Sequence, residues 1–513
     1  MSEKQRVLIF IVSYNAEAFI ESVLDRIPEH VWKNDSYDVE VLVIDDQSSD
    51  QTFDRVLEFI ESNKRKKITL LYNPKNLGYG GNQKLGYHYA LKNHFDAVVL
   101  LHGDGQYAPE YLDDMITPIL NKEADVTFGS RMINKLDALR GKMPLYKWVG
   151  NQILTTSQNL LLGCQLSEFH TGYRAYSTEI FKKIRFEHNS NYFDFDTDII
   201  IQVLDTGHKI KEIPIPTYYG DEISYVNGFL YAFKIMATTL RSRIVKLNLL
   251  YDRRFDYDFN PNQYYSLKLG YPSSHQFALD RVKDGLTVLD LGSGPGFMAE
   301  ELNKRGAKVI SLDQRITAAT EQHSVETIEA DAQEYDFSLL QRKVDIVYML
   351  DIIEHLADPD EFLLRFRYQF GEQDDTALII TTGNIGFFII RFGLLVGNFN
   401  YGKKGILDKD HKRLFTFQSM KRLLESTGYE VQEIHGIPAP FPNAIGKSWL
   451  SSLMLAVNRF LIFFSKTLFS YQMAFVARPL PSVDHLLERA KETSTQMIEE
   501  YKDDNHSGLG TEG

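Results

Sequence analysis

His102, Asp104 and Gln106 alternate across the turn of 97–109, AVVLLHGDGQYAP, directly after an apolar run that reads as a buried strand. A carboxylate in such a strand-end turn can hold a divalent cation, Mn or Mg, against a diphosphate leaving group. Imidazole is softer than carboxylate and suits Mn better than Mg; the alternative for His102 is a ring packed under the turn. A second chemistry-bearing turn is 288–296, VLDLGSGPG, in which a strand runs into Gly292, Gly294 and Gly296. Glycines there let the backbone approach a ligand at a helix N-terminus. Asp290 stands in the strand end. Asp313 closes the next strand about 20 residues on, the place for an acid that grips ribose hydroxyls. Asp331 follows the third strand, in EADAQ, and Asp351 the fourth, in VYMLDIIEHL. A glycine loop alone is ambiguous between dinucleotide and S-adenosylmethionine sites; its mid-chain position and the row of strand-end acids favour the second.

Further candidates surround the first turn. Asp45 and Asp46 follow the apolar strand VLVI, and Ser13, Tyr14 and Glu17 lie in the first strand-end loop. Arg131 and Arg174 could pair bidentately with phosphate oxygens, the bland alternative being a surface salt bridge. Asp194, Asp196 and Asp198 would share one face of a strand, whereas on a helix 194 and 198 would share a face. Asp196 is the favoured base or acceptor-positioning acid, with capping of a helix N-terminus as the alternative. The single cysteine, Cys164, excludes an internal disulfide, fits a reducing, cytosolic compartment, and reads as a small core residue in LLLGCQL rather than a nucleophile.

These residues need elements to hold them. Residues 1–220 alternate apolar strands (7–12, 39–44, 68–72, 97–101) with helical patterns (18–27, 51–63, 81–93, 110–121), a rhythm that implies a largely parallel sheet with ligands at the strands' carboxyl ends. A Tyr- and Asn-rich stretch over 246–274, with Pro261, reads as a linker. The strand–helix rhythm restarts at 288–291 and continues through 308–312, 344–350 and 377–381, so a second α/β domain spans 275–480. The last 33 residues, 481–513, hold eight acidic against three basic residues and read as a disordered tail.

With 513 residues and 43% hydrophobic content, the chain can fill two or three cores. A net charge of -13 argues against nucleic acid as a partner. Met1–Arg6 lacks the pattern of a signal peptide, and no stretch of about 18 residues is apolar without a charge. The segment 453–469 has polar pairs seven residues apart, giving a wide apolar face and a narrow polar stripe; it reads either as an in-plane membrane helix or as core or dimer packing, and 229–246 has the same character.

Taken in order, IVSYNAEAFI, VLVIDDQSSDQT, NLGYGGNQKLGYHYAL, LLHGDGQY, FGSRM, HTGYRAYS, FDFDTDIIIQ and IPIPTYYGDEIS make residues 1–245 resemble the family 2 glycosyltransferases of GT-A fold, particularly the polyprenyl-phosphate mannosyl- and glucosyltransferases. The resemblance implies inverting transfer from a UDP- or GDP-sugar to a glycan or polyprenyl-phosphate acceptor, with Asp46 at the base or ribose of the donor. It departs from the family's Asp-x-Asp by placing histidine at 102, which leaves Asp104 as the surviving ligand. Residues 275–440 resemble class I S-adenosylmethionine-dependent methyltransferases of Rossmann-like fold. That resemblance places Asp290 toward the methionine end, Asp313 at the ribose, Asp331 at the adenine amino group, and His355 where some O-methyltransferases keep a general base; a structural histidine is the alternative. Two tandem α/β enzymes follow, at the cytoplasmic side or peripheral at the inner face of a membrane. The other reading makes one half a non-catalytic nucleotide-binding or scaffolding module.

Overall fold

The computed structural model describes residues 4–141, 143–217, 228–257, 267–370 and 376–507. Part of the motif IPIPTYYGDEIS, the middle of the expected linker and the last six residues lie outside this set. The chain divides into two compact units, the first formed by Met1–Lys246 with Asp252–Asp258 and Ala444–Leu450, the second by the remainder.

The first unit is built on seven strands: β1 (Gln5–Ser13), β2 (Tyr37–Asp45), β3 (Ile68–Tyr72), β4 (Ala97–His102), β5 (Val126–Ser130), β6 (Arg174–Ser177) and β7 (Ile210–Pro214). Their order is β3-β2-β1-β4-β6-β5-β7. The run β3-β2-β1-β4 is parallel, whereas β6 lies antiparallel to both β4 and β5. The sheet is therefore mixed where a largely parallel one was expected; the short RAYS strand carries no periodic signal of its own. Successive β1 side chains enter two cores, Val7, Ile9 and Ile11 one face and Leu8, Phe10 and Val12 the other. Burial on both faces explains why these strands read as continuous apolar runs.

The helix Tyr79–Lys92 lies over β1, and Gly86 lets it approach: a Cβ there would overlap the Phe10 ring, which is wholly buried. Gly86→Ala is expected to cost about 1–3 kcal/mol through overpacking, read as a lower urea midpoint; an unchanged midpoint would show that this approach is not tight.

The second unit contains β8 (Thr287–Leu291), β9 (Lys308–Asp313), β10 (Glu326–Glu329), β11 (Ile346–Leu350), β12 (Ala377–Gly383), β13 (Tyr429–Ile437) and β14 (Gln472–Pro479). The order is β10-β9-β8-β11-β12-β14-β13, with β14 antiparallel to its neighbours and the other paired strands parallel. Again two cores cover the sheet, one containing Leu289 and Leu291, the other Val288 and Val309.

Two stretches differ from the sequence reading. Within 246–274, Phe255 and Tyr257 are buried against Ile201, and Arg254 donates to Asp198, so this part packs into the first unit rather than linking. Within 481–513, a helix runs over Val483–Ser507. Glu, Lys, Leu, Arg, Gln, Ala and Met make up 12 of its 25 residues, and their helix propensity operates locally whatever the net charge.

Candidate functional site

In the first unit, β1, β2 and β4 end side by side. Ser13 pairs in register with Asp45, and Val12 with His102, so these ends converge at one edge of the sheet. Asp45 accepts from the Ser48 amide at 2.7 Å with one oxygen; its other oxygen and the Ser13 hydroxyl are buried without a protein partner. Burial pushes the Asp45 carboxyl above its ordinary range, despite the Ser48 hydrogen bonds. Asp46 is differently employed. Its carboxylate takes the Asn73 side chain at 2.7 Å and the amides of Leu77 and Gly78 at 2.9 Å, pinning the loop before the Tyr79 helix. The unmet acceptor is thus on Asp45, one residue before the position expected to meet the donor. Glu17 accepts from the Gln51 amide at 3.2 Å, and Tyr14 stands half exposed at the rim.

The turn after β4 separates its three expected ligands. Asp104 accepts from the Gln106 amide at 3.0 Å. His102 instead packs inward: its Nε2 lies 3.1 Å from the Tyr79 hydroxyl, its ring meets Tyr107 edge-on, and a Cβ on Gly172 would come within 2.6 Å of it. Burial lowers its pKa, against the pull of Asp104 and Asp196, and so favours neutral imidazole. Among the described residues no three of His, Cys, Asp and Glu gather as a metal-holding group. A divalent cation at this turn would have Asp104 as its carboxylate and depend on donor oxygens for the rest.

The acidic trio lies on a helix, Phe195–Asp205, with Asp194 at its N-cap. Asp194 accepts from the Ser190 hydroxyl at 2.9 Å. Asp198 is buried, accepts from Arg254 at 3.0 Å, and is pushed up to about 6 by burial, which outweighs that arginine. Asp196 faces the strand ends, where the Tyr79 hydroxyl (3.2 Å), Gln83 (3.3 Å) and Arg174 (3.3 Å) surround its carboxylate. Arg174 is wholly buried and donates also to the carbonyls of Thr171, Phe169 and Asp196. Arg131 is likewise buried and clamps Glu168. Both guanidiniums are therefore internal partners of acids, where phosphate contacts or surface pairs were expected. Sequence reading missed Tyr79, Gln83, Glu168 and His170, whose ring lies 3.3 Å from Tyr231 and whose pKa burial depresses to about 4. Their motifs were visible; their partners lie tens of residues away.

The second unit repeats the principle at β8. Gly292, Gly294 and Gly296 all have positive φ, and a Cβ on Gly296 would lie 2.7 Å from the Thr320 amide nitrogen. Both Asp313 oxygens organise the loops, one accepting from Gly294 at 2.8 Å and the other from Arg315 at 3.0 Å. Asp331 accepts from Gln314 and from the Gln333 amide. Asp290 keeps one buried oxygen without a protein partner beside an orphaned Ser293 hydroxyl, and burial, reinforced by the Asp313 charge, raises it to about 7. Asp351, in a left-handed conformation at φ 59, takes the Thr381 hydroxyl and both its oxygens take Gln472 at 2.9 Å. Next to it Glu354 has an orphaned buried oxygen and is raised to about 8 by burial and by Asp351; the sequence offered no signal for it beyond its histidine neighbour. His355 meets His411 edge-on at 4.8 Å.

A GT-A-like mixed sheet with an acidic strand-end turn, followed by a sheet whose strands in chain order run 3-2-1-4-5-7-6 around a glycine loop, defines a tandem pair of transferase domains. Residues 8–185 match the profile of Glycosyl transferase family 2 and residues 265–434 that of a Methyltransferase domain. The chain carries a family 2 glycosyltransferase domain and, after it, a methyltransferase domain. It is 27% identical over 254 residues (47% of this chain, 97% of the relative) to the UDP-N-acetylglucosamine–dolichyl-phosphate N-acetylglucosaminyltransferase of Methanococcus voltae. It is 27% identical over 213 residues (41% and 82%) to the undecaprenyl-phosphate mannosyltransferase of Micrococcus luteus. Among solved structures, glucosyl-3-phosphoglycerate synthase of Mycobacterium tuberculosis, in complex with Mn2+, UDP and glucosyl-3-phosphoglycerate, aligns at 17% identity over 46% of this chain and 79% of that one, with a TM-score of 0.35.

Proposed function

We propose that the chain is a bifunctional enzyme that transfers a sugar, with inversion, from a UDP- or GDP-sugar to a polyprenyl-phosphate or glycan acceptor and methylates a glycan or its lipid carrier from S-adenosylmethionine. One observation carries this reading: each unit leaves a buried carboxylate oxygen unmet at the carboxyl edge of its sheet, Asp45 in the first and Asp290 in the second. A buried acceptor without a partner costs about 1–3 kcal/mol, a cost that a ligand's donors offset. In the first unit Asp45 and Ser13 receive the base and ribose, Tyr14 and Glu17 line the rim, and Asp104, with Gln106 beside it, holds the divalent cation, Mn or Mg, at the diphosphate. Asp196, fixed by Arg174 and Tyr79, positions the acceptor. A polyprenyl phosphate is already ionised and needs no proton removed before it attacks the sugar carbon, which suits an acid already committed to an arginine.

The glycine loop and Asp290 cradle the methionine end of the methyl donor, Asp313 the ribose and Asp331 the adenine. S-adenosylmethionine supplies an activated methyl group on a sulfonium. Asp351 and Gln472 shape the acceptor side, and His355 accepts the proton that the methylated atom releases.

The acceptor class also fits two helices of the first unit. Gly228–Lys246 buries Thr238, Thr239 and Ser242 while Phe229 and Phe233 face outward, and Leu145–Leu162 buries Thr155 and Gln158 while Tyr146 and Ile153 are exposed. No helix among the described residues is long and apolar enough to cross a membrane, so these faces support peripheral contact instead.

Calorimetric titration tests both sites. UDP with Mn2+ should bind the native chain and lose at least tenfold in affinity in Asp104→Ala; S-adenosylmethionine should lose as much in Asp313→Ala. Absence of UDP binding in the native chain would reduce the first unit to a scaffold, and absence of S-adenosylmethionine binding would do the same for the second.

A further inference from the structure

The helix Trp449–Phe464 is inside out. Its inward positions are Ser451, Leu455 and Asn458, and Asn458 is spent on backbone, accepting from Ala439 at 3.0 Å and donating to the Phe469 carbonyl at 2.8 Å. Apart from Ser452 and Arg459, its outward positions are apolar, with Phe460 63% and Phe463 84% exposed. The helix Phe388–Leu395 adds to the apolar surface, burying only Ile390 while Phe392 and Leu395 are exposed. Stray exposed apolar residues are ordinary; two adjoining helices that leave most of their large apolar side chains exposed are not.

These helices join at the methyl-transfer edge of the second unit. The strand β12 ends at Gly383, and Asn384 donates to the carbonyls of Thr467 and Ser470, tying the first helix to the segment after the second. Phe388 meets Phe469 at 5.8 Å. Two residues beyond Ser470, Gln472 holds both oxygens of Asp351. The segments that carry the apolar face thus adjoin the end of β12 and, through Gln472, Asp351.

Charge identifies what covers it. The chain has 69 acidic residues, yet none falls between Asp375 and Asp408 or between Glu433 and Asp484, the two stretches that hold these helices. Arg391, Lys447, Arg459 and Lys466 do. Arg391 and Lys466 reach the carbonyls of Gly386 and Ile434 rather than carboxylates. Aromatic and aliphatic side chains outward, cations at their margins and no acid within either stretch is the chemistry of a helix lying in the interface of an anionic bilayer. A second copy of the chain would bring the same cations against each other.

We propose that this face docks on an anionic lipid surface, and that the methyl acceptor is accordingly borne on a lipid rather than free in solution. The proposal rests on the second unit being a working methyltransferase. Lipid surface and methyl site then share one edge, so an acceptor anchored in the bilayer reaches Asp351 and His355 without leaving it.

Trp449 stands at the start of the outward face and reports on it; the other tryptophans are Trp32 and Trp148. With the full chain and vesicles of phosphatidylglycerol and phosphatidylcholine in equal parts, brominated lipid should quench a component that is missing in Trp449→Phe. Phe460→Ser with Phe463→Ser should weaken vesicle affinity at least tenfold while leaving S-adenosylmethionine affinity, read by calorimetry, within twofold. Tritium from S-adenosylmethionine should enter the chloroform-soluble phase when membrane lipids are supplied. Identical quenching in Trp449→Phe, or a dimer whose formation abolishes vesicle binding, would overturn the docking surface. Tritium confined to water-soluble glycans, or absent from both phases, would overturn the acceptor class. Failure of S-adenosylmethionine to bind the native chain would instead sink the methyltransferase reading and leave the quenching result standing.

Discussion

Arg174→Met is expected to destabilise the first unit by about 3–5 kcal/mol, because it strands a buried carboxylate. Arg174 has no exposed surface, donates to three carbonyls and stands 3.3 Å from Asp196. Burial opposes its charge most strongly, but Asp196 together with Tyr176 and Tyr79 raises the guanidinium's pKa nonetheless. Methionine fills much of the volume but leaves those carbonyls and the carboxylate short of a donor. For a unit of this size the loss corresponds to a fall in Tm on the order of 10 °C. The measurement is scanning calorimetry of the full chain, in which the two units can melt separately. Asp196→Asn supplies the control: the double variant should lose less than the sum of the two single ones, since the partners share one interaction. A loss below about 1 kcal/mol would mean that water or backbone movement replaces the arginine. The same variant separates stability from chemistry: the proposed UDP site is built on Asp45 and Asp104, so UDP affinity should survive at temperatures where the unit is folded.

Asp290→Asn is expected to act in opposite directions on stability and on methyl-donor binding. An unfolded aspartate ionises near pH 4; in the folded second unit burial and the Asp313 charge move Asp290 to about 7. Between those values the folded state holds a proton that the unfolded state has released, so raising the pH through this window costs stability, and the whole cost is present above pH 7. It is on the order of 3–4 kcal/mol. Asparagine carries no charge and escapes it. The variant should therefore melt higher than the native chain at pH 8 and nearly alongside it at pH 4. Affinity for S-adenosylmethionine at pH 8 should nevertheless fall at least tenfold, because the proposed role of the orphaned oxygen is to meet the donor's ammonium as a carboxylate. A variant that is less stable at pH 8, or that binds the donor as well as the native chain, would show that Asp290 is held by contacts other than these. Such a trade of stability for a ligand-ready acid is the usual mark of a functional site.

Much of the loop geometry at both candidate sites was legible because the motifs are local. HGDGQ and VLDLGSGPG each join a buried strand to a turn whose conformation depends on glycines a few residues apart, and the spacing of Asp313, Asp331 and Asp351 follows from the strand–helix repeat. What was misjudged depends on distant partners. Asp46 looked like the donor-facing acid until Asn73, Leu77 and Gly78 were found on its carboxylate, and His102 looked like a ligand until Tyr79, Tyr107 and Gly172 were found around its ring. Glu354 carried no sequence signal, since its raised pKa comes from burial beside Asp351. The helix at Trp449 had its polar stripe visible at seven-residue spacing, but only packing shows that Ser451 and Asn458 of that stripe point inward.

Residue order was thus enough to establish two α/β domains, their sequence along the chain and the turns that end their strands, because strand periodicity, glycine conformations and strand-end placement are governed by neighbours within a few positions. Tertiary structure decided which acids are spent and which are left open. A charge's protonation, its partner and its access to solvent depend on groups that folding brings from tens of residues away, and no local pattern encodes them.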